Sequence, residues 1–171
     1  MILDSFRKAI NADAPQIWDI LQHAIKRRKH DGSNQWQDGY PNPEVIQNDI
    51  KNGNGFVLTE GHIIIGYTAI LINDEPEYER IEGKWLTNGD FVVFHRVAIS
   101  EKHLGKGHAK KMMKSIETFA LSQDIFSIKA DTNHDNGPMK TLFNKLGYTY
   151  CGQVYFRGSP RKAYEKVLSN K

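Results

Sequence analysis

The segment Val97–Ala109 joins an apolar strand to an amphipathic helix through a short basic loop that contains two glycines. Gly105 and Gly107 allow the backbone to adopt positive φ and to approach a ligand closely. The helix that begins near Gly107 directs unpaired N–H groups and the positive end of its dipole toward the same loop. The segment therefore predicts a strand–loop–helix unit that binds an anion such as a pyrophosphate.

An apolar stripe supports the helix after the loop, with charged residues on the opposite face. The stripe is formed by Ala109, Met112, Met113, Ile116 and Ala120. No segment supplies the P-loop pattern, and Lys110 stands where a dinucleotide fingerprint needs its third glycine. These two phosphate loops are therefore excluded, and an ordinary strand-to-helix turn is the alternative to an anion site.

Length and composition favour one globular domain over residues 1–171, because 39% of the residues are hydrophobic and 25% are charged. No linker, low-complexity block or internal repeat interrupts the pattern. Asn73–Gly89 is the one stretch that is predicted to be irregular.

The compartment is predicted to be cytoplasmic. Cys151 is the single cysteine, so no intrachain disulfide can form, and no Cys/His spacing indicates a metal site. The first residues lack the pattern of an export signal. The apolar run Ile63–Ile72 is about half as long as a membrane-spanning helix, and we expect a buried strand there and no membrane partner.

The basic run Lys26–His30 raises the question of nucleic-acid binding, as the chain carries a formal net charge of +3. The run falls at the predicted end of a helix, where cations oppose the negative end of the dipole. It also lacks the interleaved aromatic residues of single-strand binders. We therefore expect a solvated helix end and no nucleic-acid partner.

The remaining pattern predicts alternating strands and helices. Asp13 is expected to cap the first helix with Gln16 closing a capping box, and Asn42 opens a second helix that ends at Gly53. Asn136 caps the last helix, which Gly147 stops. The predicted strands are Ser5–Ile10, Phe56–Thr59, His62–Ile72, Phe91–Ile99, Ile125–Ala130, Tyr148–Phe156 and Lys162–Val167.

Two segments together resemble the GNAT superfamily of acyl-CoA-dependent N-acyltransferases. Leu104–Ala109 is similar to the family's [R/Q]-x-x-G-x-[G/A] loop, and Asn136–Tyr148 resembles its N-x-x-A-x-x-L-Y-x-x-x-G-F helix. The resemblance implies an α/β fold in the order β-α-α-β-β-β-α-β-α-β-β, with a mixed, mostly antiparallel central sheet flanked by helices. It also implies transfer of an acetyl group from acetyl-CoA to a primary amine, directly and in a ternary complex.

This chain departs from the family pattern at two positions. Leu104 replaces the usual Arg or Gln of the loop, so backbone N–H groups must contribute more of the pyrophosphate binding. Phe143 replaces a Tyr that protonates the departing thiolate in many members, and Phe has no proton to donate. Tyr148, Tyr150 and Tyr155 are possible substitutes that the sequence does not rank.

The resemblance assigns the cosubstrate mainly to the backbone. It implies that the Val97 N–H polarises the thioester carbonyl and that Val97 and Ile99 hold the pantetheine arm. Asn136 matches a residue that bonds the cosubstrate, although its role as a helix cap needs no ligand. The implied cosubstrate-binding set is Val97, Ala98, Ile99, Leu104, Gly105, Lys106, Gly107, His108, Ala109 and Asn136.

His95 is the candidate catalytic base. Alternation along a strand places Val93, His95, Val97 and Ile99 on one face. The resemblance also implies a base at this place, since some members of the family use a His there. The family's acidic base often matches Val93, which cannot accept a proton. A structural His within a mixed core is the alternative.

Acceptor contacts are expected from Trp36 and Tyr40, in a polar loop between the first two helices, unless these rings merely close the edge of the core. Trp85 and Asp131 are further candidates. The acceptor is a small-molecule or protein amine, and the protein is expected to be a monomer or homodimer. A non-catalytic acyl-CoA-binding or sensing module is the alternative function.

Overall fold

The computed structural model describes residues 4–169. The chain forms two compact units. The first comprises the chain up to Ile70 together with Arg96–Ser115, and the second comprises Leu71–His95 and the chain from Ile116 onward. The prediction of one domain over residues 1–171 stays a prediction.

The first unit begins with three strands and two helices in the predicted order. Strand β2 pairs antiparallel with both β1 and β3, and Glu60 opposite Ile63 closes the predicted hairpin. Asn42 caps the second helix as predicted, because its side chain accepts a hydrogen bond from the Val45 N–H. The elements are β1 (Asp4–Lys8), α1 (Ala14–His30), α2 (Pro43–Lys51), β2 (Gly55–Glu60) and β3 (Ile63–Ile72).

The capping box predicted at Asp13 is wrong. The Asp13 carboxylate accepts from the Ile10 N–H at 2.8 Å and pairs with Arg7, also at 2.8 Å. It makes no side-chain hydrogen bond to the start of α1. A short 3-10 turn over Asn11–Asp13 precedes the helix and directs the carboxylate backward, which the sequence spacing did not show.

In the second unit the strands lie in the order β5-β6-β8-β7-β4, and β5 and β6 run parallel while the other neighbours are antiparallel. The register between β5 and β6 pairs Val92 with Ile128 and Val93 with Lys129. The elements from the centre of the chain onward are β4 (Glu82–Gly83), β5 (Val92–Ile99), α3 (His108–Ser122), β6 (Ser127–Thr132), α4 (Gly137–Lys145), β7 (Thr149–Phe156) and β8 (Ser159–Val167).

The strand predicted at Ile125–Ala130 begins two residues later, at Ser127. The Ile125 N–H bonds to the Ala120 carbonyl, so Ile125 still belongs to the turn that ends α3. The terminal hairpin is confirmed by the antiparallel pairing of β7 with β8.

The stretch Asn73–Gly89 is more ordered than predicted. It contains a 3-10 helix over Pro76–Arg80 and the two-residue strand β4, which extends the predicted element order by one strand. Gly83 of β4 and Gly152 of β7 have φ of +143° and +141°, and a Cβ on either would lie within 2.2 Å of a carbonyl oxygen of the other strand. Two facing glycines therefore permit this close pairing, a long-range condition that local patterns do not reveal.

Each unit has its own apolar cluster. In the first, α1 and α2 pack their buried faces around residues such as Ile17, Leu21 and Tyr67. In the second, one cluster surrounds Tyr78 and Val93. The α/β class with a mixed, mostly antiparallel sheet and flanking helices is confirmed. Within residues 4–169, no helix is both long and apolar enough to cross a membrane.

Candidate active site

The glycine loop has the backbone that its sequence predicts. Gly105 and Gly107 have φ of +74° and +80°, and a Cβ added at either would meet no atom within 4 Å. Helix α3 starts directly after the loop, and its first backbone bond joins the Lys111 N–H to the Gly107 carbonyl. The loop is thus exposed and has open space around both glycines in front of a helix N-terminus, which suits an anion.

Two hydrogen bonds hold the backbone at the start of the loop. The Ser100 N–H donates to the Ile65 carbonyl at 2.8 Å, and Arg27 Nη2 donates to the Ile99 carbonyl at 3.2 Å. Arg27 belongs to the basic run, which does end α1 as predicted. Leu104 is 43% exposed, whereas the His108 side chain is buried and lies 3.9 Å from Glu60. His108 therefore offers the loop its backbone rather than its ring.

A buried ion pair at Arg96 was missed by the sequence analysis. Arg96 Nε and Nη2 donate to the two carboxylate oxygens of Asp49 at 3.0 and 2.6 Å. The Tyr67 hydroxyl donates to the same carboxylate at 2.6 Å, and Arg96 Nη1 donates to the Tyr40 hydroxyl. Burial opposes the charge on Arg96, but Tyr40 and Asp49 outweigh it, so the pKa of the guanidinium is raised. The sequence did contain a signal for this ion pair, because Arg96 is a charged residue inside an otherwise apolar predicted strand.

Arg96 also changes the geometry of β5. Its φ is +58°, a left-handed conformation that is uncommon for a residue with a side chain. Regular alternation along the strand is interrupted there, between His95 and Val97, so alternation alone no longer places Val97 on the face of Val93 and His95, and the shared face stays a prediction. The interruption falls directly before Val97, the predicted donor to the thioester.

The two aromatic residues of the loop between α1 and α2 have different surroundings. Trp36 is 8% exposed, belongs to the core of its unit, and lies under Arg28 at 3.7 Å. This position fits the alternative that the ring closes the core edge. Tyr40 is only partly buried and is held by Arg96. Its role toward an acceptor stays a prediction.

His95 lies beside a carboxylate in the second unit. His95 Nε2 is 2.8 Å from Glu75 Oε2, and the two side chains are 20% and 12% exposed. Glu75 comes from the stretch that was predicted to be irregular, so only the fold brings it to β5.

Asp131 and Trp85 meet at Tyr78. The Tyr78 hydroxyl donates to Asp131 Oδ2 at 2.6 Å, and Arg161 Nε lies 3.0 Å from Asp131 Oδ1. Trp85 Nε1 donates to the Tyr78 carbonyl at 2.9 Å. Burial, and then the charge of Asp131, raises the pKa of Tyr78 well above its usual value. The Asp131 side chain is 4% exposed and already has two partners.

Phe143 is fully buried among aromatic rings and presents no polar group. Its centroid lies 4.5 Å from that of Tyr164 and 4.9 Å from that of Tyr148. Of the tyrosines that could replace the missing acid, Tyr148 is buried, Tyr150 is half exposed, and the Tyr155 hydroxyl donates to Glu82. Asn136 caps α4 by accepting from the Met139 N–H at 3.3 Å, the role that needs no ligand.

Comparison with known proteins decides the family. The sequence model of the acetyltransferase (GNAT) family matches residues 16–148, which is more than half of the chain. The chain belongs to the GNAT family. It is therefore an acyl-CoA-dependent acetyltransferase, as the two motifs predicted.

Individual GNAT proteins resemble the chain over most of its length. A GNAT acetyltransferase from Streptococcus agalactiae superposes with a TM-score of 0.90 at 34% identity, covering 98% of this chain and 96% of that one. An uncharacterized N-acetyltransferase of Bacillus subtilis, YesJ, is 23% identical over 84% of this chain and 81% of its own. YncA from Salmonella typhimurium, solved with acetyl-CoA, shares the fold with a TM-score of 0.68 at 18% identity, over 98% and 95% of the two chains.

In the GNAT chain, the loop at Gly105–Gly107 directly precedes α3, and Asn136 caps α4. Among residues 4–169, no group of three or more His, Cys, Asp or Glu side chains is arranged to hold a metal ion.

Proposed function

We propose that this protein transfers an acetyl group from acetyl-CoA to a primary amine, directly and in a ternary complex. One observation carries the proposal: both loop glycines adopt positive φ and face open space at the N-terminus of α3. A side chain at either position would fill that space, so the loop fits a diphosphate that is bound by backbone N–H groups. Relatives in the same family support the same cosubstrate.

The residues that would hold acetyl-CoA are the end of β5 and the loop that follows it. We assign the pantetheine arm to the backbone of Val97–Ile99 and the pyrophosphate to Leu104–Ala109. The Ile99 carbonyl accepts a hydrogen bond from Arg27, which holds the backbone at the end of β5. When bound, acetyl-CoA supplies the acetyl group as a thioester with a thiolate leaving group.

His95 would accept the proton that the amine loses. In the proposed step, the amine nitrogen forms a bond to the thioester carbon, the carbon–sulfur bond breaks, and His95 takes one amine proton directly or through water. The Val97 N–H would stabilise the negative charge that develops on the carbonyl oxygen. The interruption of β5 at Arg96 supports this role, because it changes the direction of the backbone just before Val97.

The leaving thiolate needs no proton from Phe143. A thiol with a pKa near 8.5 can depart as the anion, and the N-terminus of α4 would stabilise the negative charge. The thiolate then takes a proton from solvent.

Trp85 and Asp131 of the second unit are the candidate acceptor contacts there, and Tyr40 of the first unit stays a separate candidate. Trp85 and Asp131 offer an aromatic ring and a carboxylate, which suit the cationic form in which amines arrive. Both a small molecule and a protein amine fit this chemistry. One relative, a streptothricin acetyltransferase of Escherichia coli, is 30% identical over 39% of this chain and 38% of its own. Streptothricin is therefore worth including in an acceptor panel.

The experiment that tests the proposal measures free thiol released from acetyl-CoA with a panel of amines between about pH 6 and about pH 9. We expect release by the wild type and a reduction of roughly 10²- to 10⁴-fold in His95→Ala, with acetyl-CoA binding unchanged. The reduction should shrink at high pH, where more of the amine is already neutral. Equal rates for the two proteins would remove His95 from the mechanism.

A sensing module is the second candidate function, favoured by the replacement of two family side chains by Leu104 and Phe143. Tight binding of acetyl-CoA without thiol release with any amine would support it.

A further inference from the structure

One face of the sheet in the second unit carries a lysine next to the proposed base. Strands β5 and β6 are parallel neighbours, and their register places Val93 beside Lys129. His95 and Asp131 each lie two positions further along these strands, so alternation places their side chains on the same face as that pair. Lys129 therefore shares a face with His95.

Contacts from the segment before β5 support this placement. Glu75 Oε2 lies 2.8 Å from His95 Nε2, and the Tyr78 hydroxyl donates to Asp131 at 2.6 Å. Both contacts come from the same stretch of chain, so this stretch covers the face that carries the two strand residues.

Lys129 is enclosed by aromatic rings and lacks an anionic partner in the part of the chain that the structure describes. Its Nζ lies over the rings of Trp85 and Phe91 at 4.6 and 4.4 Å. The residue is 5% exposed, and no side chain within residues 4–169 forms a hydrogen bond or an ion pair with its ammonium. A buried charge without a partner is costly, and an anion bound beside Nζ would remove that cost.

The acidic residues that share this face with Lys129 are bonded to other groups. Glu165, opposite Lys129 on β8, is fully buried and accepts hydrogen bonds from the hydroxyls of Thr87 and Ser127. Asp131 has the two partners described above. Burial lowers the pKa of Lys129, and the charge of Glu165 only partly offsets this effect. The ammonium thus has room in its electrostatic surroundings for a further negative charge.

We propose that Lys129 binds a carboxylate group of the acceptor, so that the substrate is an amine that also carries a carboxylate, as an amino acid does. The carboxylate accepts a charge-assisted hydrogen bond from Nζ, and its charge favours the protonated form of the lysine. The amine of the same molecule lies toward His95. This inference rests on the proposed function and narrows its acceptor class.

The position of Trp85 agrees with this orientation of the acceptor. The face of its ring already lies under the ammonium of Lys129, so a second cation is repelled there and an anionic group is attracted. The end of the acceptor that reaches Lys129 is therefore its carboxylate and not its amine.

The test measures thiol release from acetyl-CoA with pairs of amines, each pair being an amino acid and its neutral primary amide. The α-, β- and γ-amino acids are included, and kcat/KM for the acid is divided by kcat/KM for the amide. Comparing this ratio between variants cancels the difference in pKa between the two amines. Lys129→Met removes the charge but occupies a similar volume, so the protein should stay folded, which thermal unfolding checks.

Lys162→Met is the matched control. Lys162 Nζ also lies over an aromatic ring, that of Tyr150 at 5.2 Å. The residue pairs with Thr132 in the register of β6 and β8, so it lies on the other face of the same sheet. The control removes the same charge from the same unit without touching the proposed site.

We expect the wild type to favour the acid of at least one pair by roughly tenfold or more, because a hydrogen bond between charged groups contributes about 1.5–3 kcal/mol. Lys129→Met should lower this ratio by roughly 10- to 100-fold, with kcat/KM for the amide and the KM for acetyl-CoA within about twofold of the wild type. Lys129→Arg, which keeps the charge, should keep part of the preference. Lys162→Met should behave as the wild type.

The outcomes separate this inference from the proposed function. A wild type that acetylates amines but prefers the amides in every pair would overturn the role of Lys129 alone, and this result needs no substitution. An unchanged ratio in Lys129→Met, or an equal loss in Lys162→Met, would overturn it as well. A wild type that releases thiol with none of the amines would contradict the proposed function, and the inference would fall with it.

Discussion

At the scale of the residue, Phe143 and Tyr148 reverse an arrangement found in the family motif. The motif has Tyr before the final G-F, whereas this chain has Phe143 first and Tyr148 after Gly147. The rings of Phe143 and Tyr148 are in contact. The hydroxyl that the motif places at position 143 is therefore found on the adjacent ring of Tyr148. The Tyr148 hydroxyl is buried and, among the described residues, has no hydrogen-bond partner. Burial, and then the charge of Glu117, raises the pKa of Tyr148, so the phenol stays protonated.

Paired substitutions at these positions should affect stability in opposite directions. Tyr148→Phe removes a buried hydroxyl without a partner, and we expect the free energy of unfolding to stay constant or rise by up to about 1 kcal/mol. Phe143→Tyr inserts a hydroxyl into a fully buried aromatic cluster and should lower it by about 1–3 kcal/mol. Urea denaturation measures both changes. A marked loss of stability in Tyr148→Phe would show that its hydroxyl has a partner.

At the scale of the element, the glycine loop and α3 form one strand-to-helix unit, to which we assign anion binding. The positive φ values of Gly105 and Gly107 orient the loop, and the helix supplies unpaired N–H groups. Arg96, in the strand that leads to the loop, also has positive φ. Its hydrogen bonds to Asp49 offset the energetic cost of that conformation. Strain in β5 is thus compensated by side chains, whereas the loop avoids strain by using glycine.

Gly107→Ala should weaken coenzyme A binding by about tenfold or more. The new methyl group disfavours the left-handed backbone by about 1–2 kcal/mol and occupies the space in front of the helix. Gly158→Ala is the matched control, because Gly158 has φ of +79° and equally open space in the turn between β7 and β8. Calorimetry should show weaker binding only in the Gly107 variant. Equal affinity in the two variants would place the anion elsewhere.

At the scale of the whole molecule, binding and protonation both contribute to stability. Acetyl-CoA at roughly 100 times its Kd should stabilise the fold by about 2.7 kcal/mol and raise the melting temperature by roughly 5–10 °C. Differential scanning fluorimetry measures the shift, which should be smaller for Gly107→Ala at the same concentration. If millimolar acetyl-CoA gives no shift, the cosubstrate assignment fails.

Stability should fall steeply in alkaline solution. Burial raises the pKa of the phenols of Tyr67, Tyr78 and Tyr148, so the folded chain retains protons that the unfolded chain releases near pH ~10. This stability is fully present below that pH and is lost above it, by about 1.4 kcal/mol per pH unit for each tyrosine. The lowered pKa of Lys129 acts in the opposite sense, but only below its unfolded value of about 10.5.

Urea denaturation from about pH 9 to about pH 11.5 measures how the free energy of unfolding falls with pH. Above about pH 10.5, Tyr148→Phe should make this fall less steep by the contribution of one proton. An unchanged slope in that variant would contradict the burial of the phenol.

The family and the conformation of the glycine loop could be predicted from the sequence because both depend on local patterns. Gly105 and Gly107 impose their backbone through the lack of a side chain, and Asn42 and Asn136 cap helices through bonds to residues three positions away. Helix and strand periodicity likewise depends on neighbours in sequence. These features allowed the element order and the backbone of the glycine loop to be predicted without coordinates.

Tertiary structure alone decided which side chains meet. Glu75 and His95 are 20 positions apart, and Asp49 and Arg96 are 47 positions apart, so no local pattern joins them. The close pairing of Gly83 with Gly152 and the ordering of the stretch that carries Glu75 also depend on distant partners. A buried charge is stable only when its partner is present, and that partner is found by packing rather than by spacing along the chain.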